Sequence, residues 1–233
     1  MSAESRNLSQ KKIKRNNLFI FIGLIALTFA LDATPFVNIP FRWLQTYFHE
    51  ISHGMAAILG GGSIVSINLH FNDSGLCTTR GGIRFLTVFA GYFGSVLWGA
   101  LIYTMVDHVS KKSRIMISGA ILGLLAISTL FWVRDLETLC IIAMVAIPFI
   151  VTIKFQNYSF VRYFLQIIGL FVLLESVRSP LYLLHYTGHN DALSLAELTG
   201  IPKVVWIFIW VILGLVTVYV LWKAHLKRDP LLT

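Results

Sequence analysis

In the stretch FHEISHGMAAILGGG, Phe48 to Gly62, two histidines and a glutamate sit inside an otherwise apolar run. His49 and His53 are spaced i, i+4, which on a helix puts both imidazoles on one face, a turn apart. That spacing suits one Zn²⁺ at about 2.0–2.1 Å from each nitrogen. Glu50 lies about 100° around the helix from His49 and can reach a water on the metal without ligating it. Two ligands and a general base form the HExxH zincin arrangement. Zinc acidifies its water, and the carboxylate takes the proton as an amide carbonyl is attacked. A buried hydrogen-bonded histidine pair is the bland alternative. Ionisable groups at bilayer depth are costly and mark function, which favours the metal. Gly60, Gly61 and Gly62 then stop the helix.

The element that carries these residues belongs to a membrane protein. Of 233 residues, 56% are apolar and only 13% charged, with a mean hydropathy of +0.74. A soluble domain carries about a quarter charged residues. Apolar stretches recur at Leu18–Leu31, Phe41–Leu59, Ile83–Val106, Ile115–Val133, Leu136–Ile153, Tyr163–Val177 and Lys203–Trp222. They lack two-residue alternation, so they read as helices. The expected fold class is therefore all-α membrane: a polytopic helical bundle with six to seven membrane segments, one carrying HExxH, plus a short β-hairpin. The chain divides into a basic tail (1–17), one membrane-embedded peptidase-like domain (18–225) and a short polar tail (226–233). The basic N-terminus and first apolar run lack an A-x-A cleavage site, so the run reads as an uncleaved span.

The net charge of +8 is clustered between spans: Lys11–Arg15, Lys111 with Lys112 and Arg114, Lys154 with Arg162, and Lys223 with Lys227 and Arg228. Such clusters set orientation and touch anionic headgroups, so no nucleic-acid partner is expected. All four share the cytoplasmic side if Phe41–Leu59 dips in and returns. Cys77 and Cys140 form no CxxC pair and no disulfide framework.

The same count places two polar connections together on the other side. Gly60–Gly82 contains SIVSINLHF, NDSG and LCTTRGG, a short β-hairpin in which His70 is a polar strand position. Ser179–Ile201 contains a short helical run, Ala192–Leu198, capped by Asn190 and Asp191 and ended by Gly200 and Pro202.

With FHEISHGMAAILGGG, the hairpin stretch, FAGYFGSVLWGA and HNDALSLAELTGIPKVVW in this order, the chain resembles the M50, or site-2-protease, class of membrane metallopeptidases, and within it the bacterial M50B-like branch. The resemblance implies a zinc-dependent metalloendopeptidase of a bacterial cytoplasmic membrane, hydrolysing peptide bonds of membrane-associated protein or peptide substrates. It implies His49 and His53 as metal ligands and Glu50 as the catalytic base. The usual N-x-x-D-G source of the third ligand is missing. Asp191 is chosen because its loop lies on the hairpin side; its other role is helix capping. Glu175, with Arg178 as its alternative partner, and His189 are the other candidates, and water completes the site if none serves. The resemblance implies zinc reached from the cytoplasm, whereas the charge count opens the site outward; both orientations stay open. Oligomeric state is not legible.

Two supporting expectations follow. Gly91, Ser95 and Gly99 form a stripe of small residues that lets the span Ile83–Val106 pack against the HEISH helix. Asp32, at the end of the first span, is a possible carboxylate partner for the second nitrogen of a ligating histidine. The rival reading from another class is a non-catalytic metal-binding membrane protein, a transporter or assembly factor; Glu50→Gln discriminates, because only a peptidase needs the base.

Overall fold

The computed structural model describes residues 3–107, 111–158 and 160–227; Arg228, of the last basic cluster, lies outside the described residues. The elements run α1 (Ala3–Asp32), α2 (Ile39–Leu59), β1 (Ser63–Leu69), β2 (Gly75–Arg80), α3 (Arg84–Asp107), α4 (Lys111–Phe131), α5 (Leu136–Lys154), α6 (Phe160–Tyr182), α7 (Asp191–Thr199) and α8 (Lys203–Leu226). Among the described residues, six helices are long and apolar enough to cross a bilayer: α1, α3, α4, α5, α6 and α8. α2, which carries HExxH, is not among them. The chain is an integral membrane protein with a polytopic helical bundle and one small antiparallel sheet.

The spans alternate in direction, and long-range contacts fix which ends meet. Asp32, the last residue of α1, pairs with Arg178 near the end of α6. Asn17 of α1 donates to the carbonyl of His225 near the end of α8. Ser118 of α4 meets Thr152 of α5 at 2.8 Å. One end of the bundle therefore gathers four basic clusters, Lys11–Arg15, Lys111 to Arg114, Lys154 with Arg162, and Lys223 with Lys227, while Arg42, Arg80, Arg84, Arg134, Arg178 and Lys203 lie at the other. The other end holds the hairpin, α7 and both ends of α2. Arg42, at the start of α2, reaches Asp32 at 3.1 Å, and a methyl group on Gly60, just past its end, would sit 2.7 Å from the backbone nitrogen of Ile83. α2 leaves and returns to one end of the bundle.

Local chemistry accounts for the element limits. Pro40 sits in the first turn of α2, where the missing N–H costs nothing. The expected glycine stop is divided: Gly60 takes φ −82°, and Gly61, with φ +85°, supplies the left-handed step that only glycine takes easily. In the hairpin, Ser63 faces Arg80 and Leu69 faces Gly75. A register shift between Ile64 and Ser66 explains why hydrophobic alternation there is only partial: Val65 turns outward while Ile64, Ile67 and Leu69 are buried.

β1 uses its free edge to dock on the span connections. Ile67 N–H donates to Trp132 O at 3.0 Å, and Leu69 N–H to Thr138 Oγ1 at 2.8 Å. His70 is not a strand position; it follows the last residue of β1, and its Nδ1 lies 2.9 Å from Glu137 at the start of α5. Asp135 caps α5 by accepting from Thr138 N at 2.8 Å. Burial works against its charge, but the Thr138 backbone and hydroxyl and the Asn68 amide hold this carboxyl below the ordinary aspartate range.

Candidate metal centre

The HEISH segment forms the middle of α2, and its polar residues face protein. Glu50 is 6% exposed and His53 9%. Behind them, Tyr47, Phe48 and Ile51 are fully buried, with Phe48 stacked on Trp98 of α3 at 4.9 Å. The helix thus anchors an apolar face in the bundle and turns its ionisable face toward a cavity of about 830 Å³. β2, the start of α3, and the segment 189–194 close that cavity.

His49 Nε2 and His53 Nε2 lie 3.0 Å apart, as the i, i+4 spacing requires. Asp191, 142 residues beyond His49, brings its Oδ2 to 3.0 Å from His49 Nε2 and 3.4 Å from His53 Nε2. Ligands at 2.0–2.1 Å around a tetrahedral ion lie about 3.3–3.4 Å from one another. The triangle edges of 3.0, 3.0 and 3.4 Å match one face of that tetrahedron, and two nitrogens and a carboxylate oxygen are donors that zinc accepts. The residues fit a divalent ion, and all three line the same cavity as Glu50.

Asp191 is free for this because Asn190 alone does the capping. The Asn190 carboxamide oxygen accepts from Leu193 N at 3.1 Å, and Gly200 ends α7 at φ 74°. Asp191 is the first residue inside the helix, its carboxylate turned to the histidines. Burial works against that charge, but His53 and His49 beside it outweigh the cost and hold Asp191 below the usual carboxylate range. The other two acid and histidine candidates are engaged elsewhere. Glu175 lies 3.6 Å from Arg178, its i, i+3 partner, and His189 Nε2 is 3.0 Å from Ser194 Oγ.

Asp32 does not orient a ligating histidine. It is taken by Arg42 and Arg178, which tie α1, α2 and α6 together. His53 instead presents Nδ1 to the Thr87 carbonyl at 2.7 Å, which makes Nδ1–H the donor and leaves Nε2 bare for a metal. A backbone carbonyl carries no sequence signal, so this partner was not legible. The small-residue stripe was, and it serves two partners. A methyl group on Gly91 would lie 2.5 Å from His53 Cε1 and Nε2 and 2.6 Å from His49 Cε1. A methyl group on Gly99 would instead meet Leu173 N at 2.7 Å and Gly169 O at 2.8 Å, in α6. Gly91 lets α3 touch both imidazoles; Gly99 lets it touch α6.

β2 flanks Glu50. A methyl group on Gly75 would meet Glu50 Cγ and Oε1 at 2.7 Å, and the backbone of Cys77 interacts with the same carboxylate. Burial, helped by the Glu50 charge, pushes the Cys77 thiol up to about 12, so it stays a neutral wall of the cavity. Tyr92 is the remaining neighbour, its ring 4.4 Å from that of His49. An aromatic residue within a span does not announce itself in the sequence.

No curated protein and no solved structure matches the chain. A model of one protein family matches residues 20–221, a stretch that takes in α2, the hairpin, α3 to α6, the short helix bearing Asp191 and parts of α1 and α8. The chain belongs to the Peptidase M50B-like family.

Proposed function

We propose that the protein is a zinc-dependent metalloendopeptidase that cuts membrane-associated polypeptides, with His49, His53 and Asp191 holding the ion and Glu50 as the base. The observation that carries this reading is the meeting of Asp191 Oδ2 with both Nε2 atoms across 142 residues of chain. Family membership adds the reaction class.

Zinc bound there supplies Lewis acidity, polarising a carbonyl and acidifying water near neutral pH. The chain's own residues do the rest. Thr87 and Gly91 hold the two imidazoles in place, one by a hydrogen bond and one by the absence of a side chain. Glu50, seated against Gly75, takes the proton of the attacking water and passes it to the leaving amine. The cavity of about 830 Å³ accepts an extended segment of a few residues. A helical substrate must unwind locally, because an intact helix hides its carbonyls.

The basic end of the bundle faces the cytoplasm by the positive-inside rule, so the cavity opens on the opposite face of a bacterial cytoplasmic membrane. Cysteine labelling in sealed vesicles reads this directly: a cysteine at Asn72 labels from the outside, one at Lys154 only from the inside.

The chemical reading is tested by metal analysis and cleavage together. Purified wild-type protein carries one zinc, and His49→Ala and Asp191→Ala lose it. Glu50→Gln keeps the zinc and loses cleavage of a membrane-tethered reporter by about 10²–10⁴-fold. Zinc retained in Asp191→Ala removes Asp191 from the ligand set. Undiminished function in Glu50→Gln turns the protein into a metal-binding protein without hydrolysis.

A further inference from the structure

Three large tyrosines are buried in the bundle. Tyr47 pairs its hydroxyl with Ser128 at 2.8 Å and Tyr103 with His225 at 2.8 Å. Tyr92 is 8% exposed, and among the described residues its hydroxyl makes no hydrogen bond, its oxygen opening on the cavity instead of being sealed in the core. Buried tyrosines normally find one. Tyr92 lines the cavity that holds His49, Glu50, His53 and Asp191, and its hydroxyl is within Coulombic reach of both carboxylates.

The ring is held on two sides. Its edge-to-face contact with His49 is 4.4 Å at 74°, and Trp210 of α8 lies 4.7 Å away on another side. Trp210 is itself fixed by donating to the Phe89 carbonyl at 3.2 Å. Glu50 and Asp191 offer only acceptors when ionised, and the Nε2 atoms face the metal position. Tyr92 contributes a neutral O–H donor beside them, on a helix, with no hydrogen bond made to it among the described residues.

We propose that Tyr92 is a further catalytic residue, whose phenol hydrogen-bonds the oxygen of the scissile carbonyl as that oxygen becomes negative. The assignment rests on the peptidase reading of the same site. In the step, the water oxygen bonds to the carbonyl carbon while its proton passes to Glu50. The π electron pair moves onto the carbonyl oxygen, where the Tyr92 O–H donates without giving up its proton. The carbonyl then re-forms, the C–N bond breaks, and the amine leaves with the proton from Glu50. A fixed donor aimed at developing charge lowers the barrier more than it tightens substrate binding.

The test uses Tyr92→Phe in the purified, detergent-solubilised full chain, with two dipeptide inhibitors of one side-chain sequence. One carries a thiol, which offers no oxygen to the phenol; the other carries a phosphinate, whose second oxygen mimics the oxyanion. Calorimetric titration of the variant is expected to show thiol affinity within about threefold of wild type and phosphinate affinity about 10²-fold weaker. Zinc content stays at the wild-type level. In reporter cleavage, kcat falls about 10²–10³-fold with KM within about threefold. Equal changes in the two affinities, or none, overturn the assignment. Loss of zinc in Tyr92→Phe also overturns it, by making the ring a support for His49. If wild type binds neither inhibitor, the metallopeptidase reading falls and the assignment with it.

Discussion

Helices α2 and α8 are built on opposite plans. α2 has 21 residues, and its buried set includes Gln45, Thr46, Glu50, Ser52 and His53 beside Trp43, Tyr47, Phe48 and Ile51. α8 has 24 residues, and Val204, Val205, Phe208, Ile212, Leu215 and Val216 all face outward. In α8 the apolar residues meet lipid and need no protein partner, since lipid tails are as apolar as a core. In α2 the polar residues meet protein, and each is satisfied or aimed at the cavity. Ser52 donates back to Phe48 O at 2.6 Å, Thr46 donates to Asp73 O at 2.9 Å, and His53 meets Thr87. A composition that makes α2 a poor membrane span makes it a good site helix, provided neighbours shield it on all sides.

The contrast can be broken most forcefully at the contact between helices. Gly91→Leu drives a side chain into both imidazoles; zinc affinity should fall by at least 10–100-fold, with a stability loss of about 1–3 kcal/mol. Metal content and thermal unfolding of the purified variant measure the two effects. Unchanged zinc would mean that α3 does not set the ligand geometry. Next in size is a matched pair of truncations. Ile51→Ala empties a fully buried position on α2 and should cost about 2–5 kcal/mol. Ile212→Ala on α8, 56% exposed, should stay within about 0.5 kcal/mol. Equal losses in a denaturant titration would erase the distinction between the two helices.

The smallest effect concerns the connection that docks the hairpin. Asp135 has a lowered pKa in the fold, so its contribution is present above the ordinary aspartate pKa and is lost as pH falls toward the lowered value. Melting temperatures measured from pH 6 downward should drop through that window in wild type and drop less in Asp135→Asn. Asp135→Ala should cost about 1 kcal/mol at neutral pH through the lost cap.

Much of this architecture was legible in advance. The spans follow from hydropathy, and the hairpin follows from NDSG between two short strand-like runs. The expectation that α2 returns to its starting side came from where the basic clusters fall. The approach of Asp191 to the two histidines was reachable only by topology: with α2 returning to its starting side, the loop before α8 shares that side. Asp32, weighed as a histidine partner, is instead an acid at a span end that binds arginines. Its true partners, Arg42 and Arg178, are 10 and 146 residues away, and no local pattern links them.

Residue spacing alone determined the two imidazoles on one helical face and the glutamate beside them, because a helix has a fixed pitch. Chain packing decided what surrounds them. The Asp191 carboxylate, the Thr87 carbonyl, the bare face of Gly91 and the hydroxyl of Tyr92 come from α7 and α3, and nothing in local periodicity encodes a distance of 3 Å between residues 142 positions apart. Only the antiparallel stacking of spans sets it, through close contacts that small residues permit and larger ones forbid.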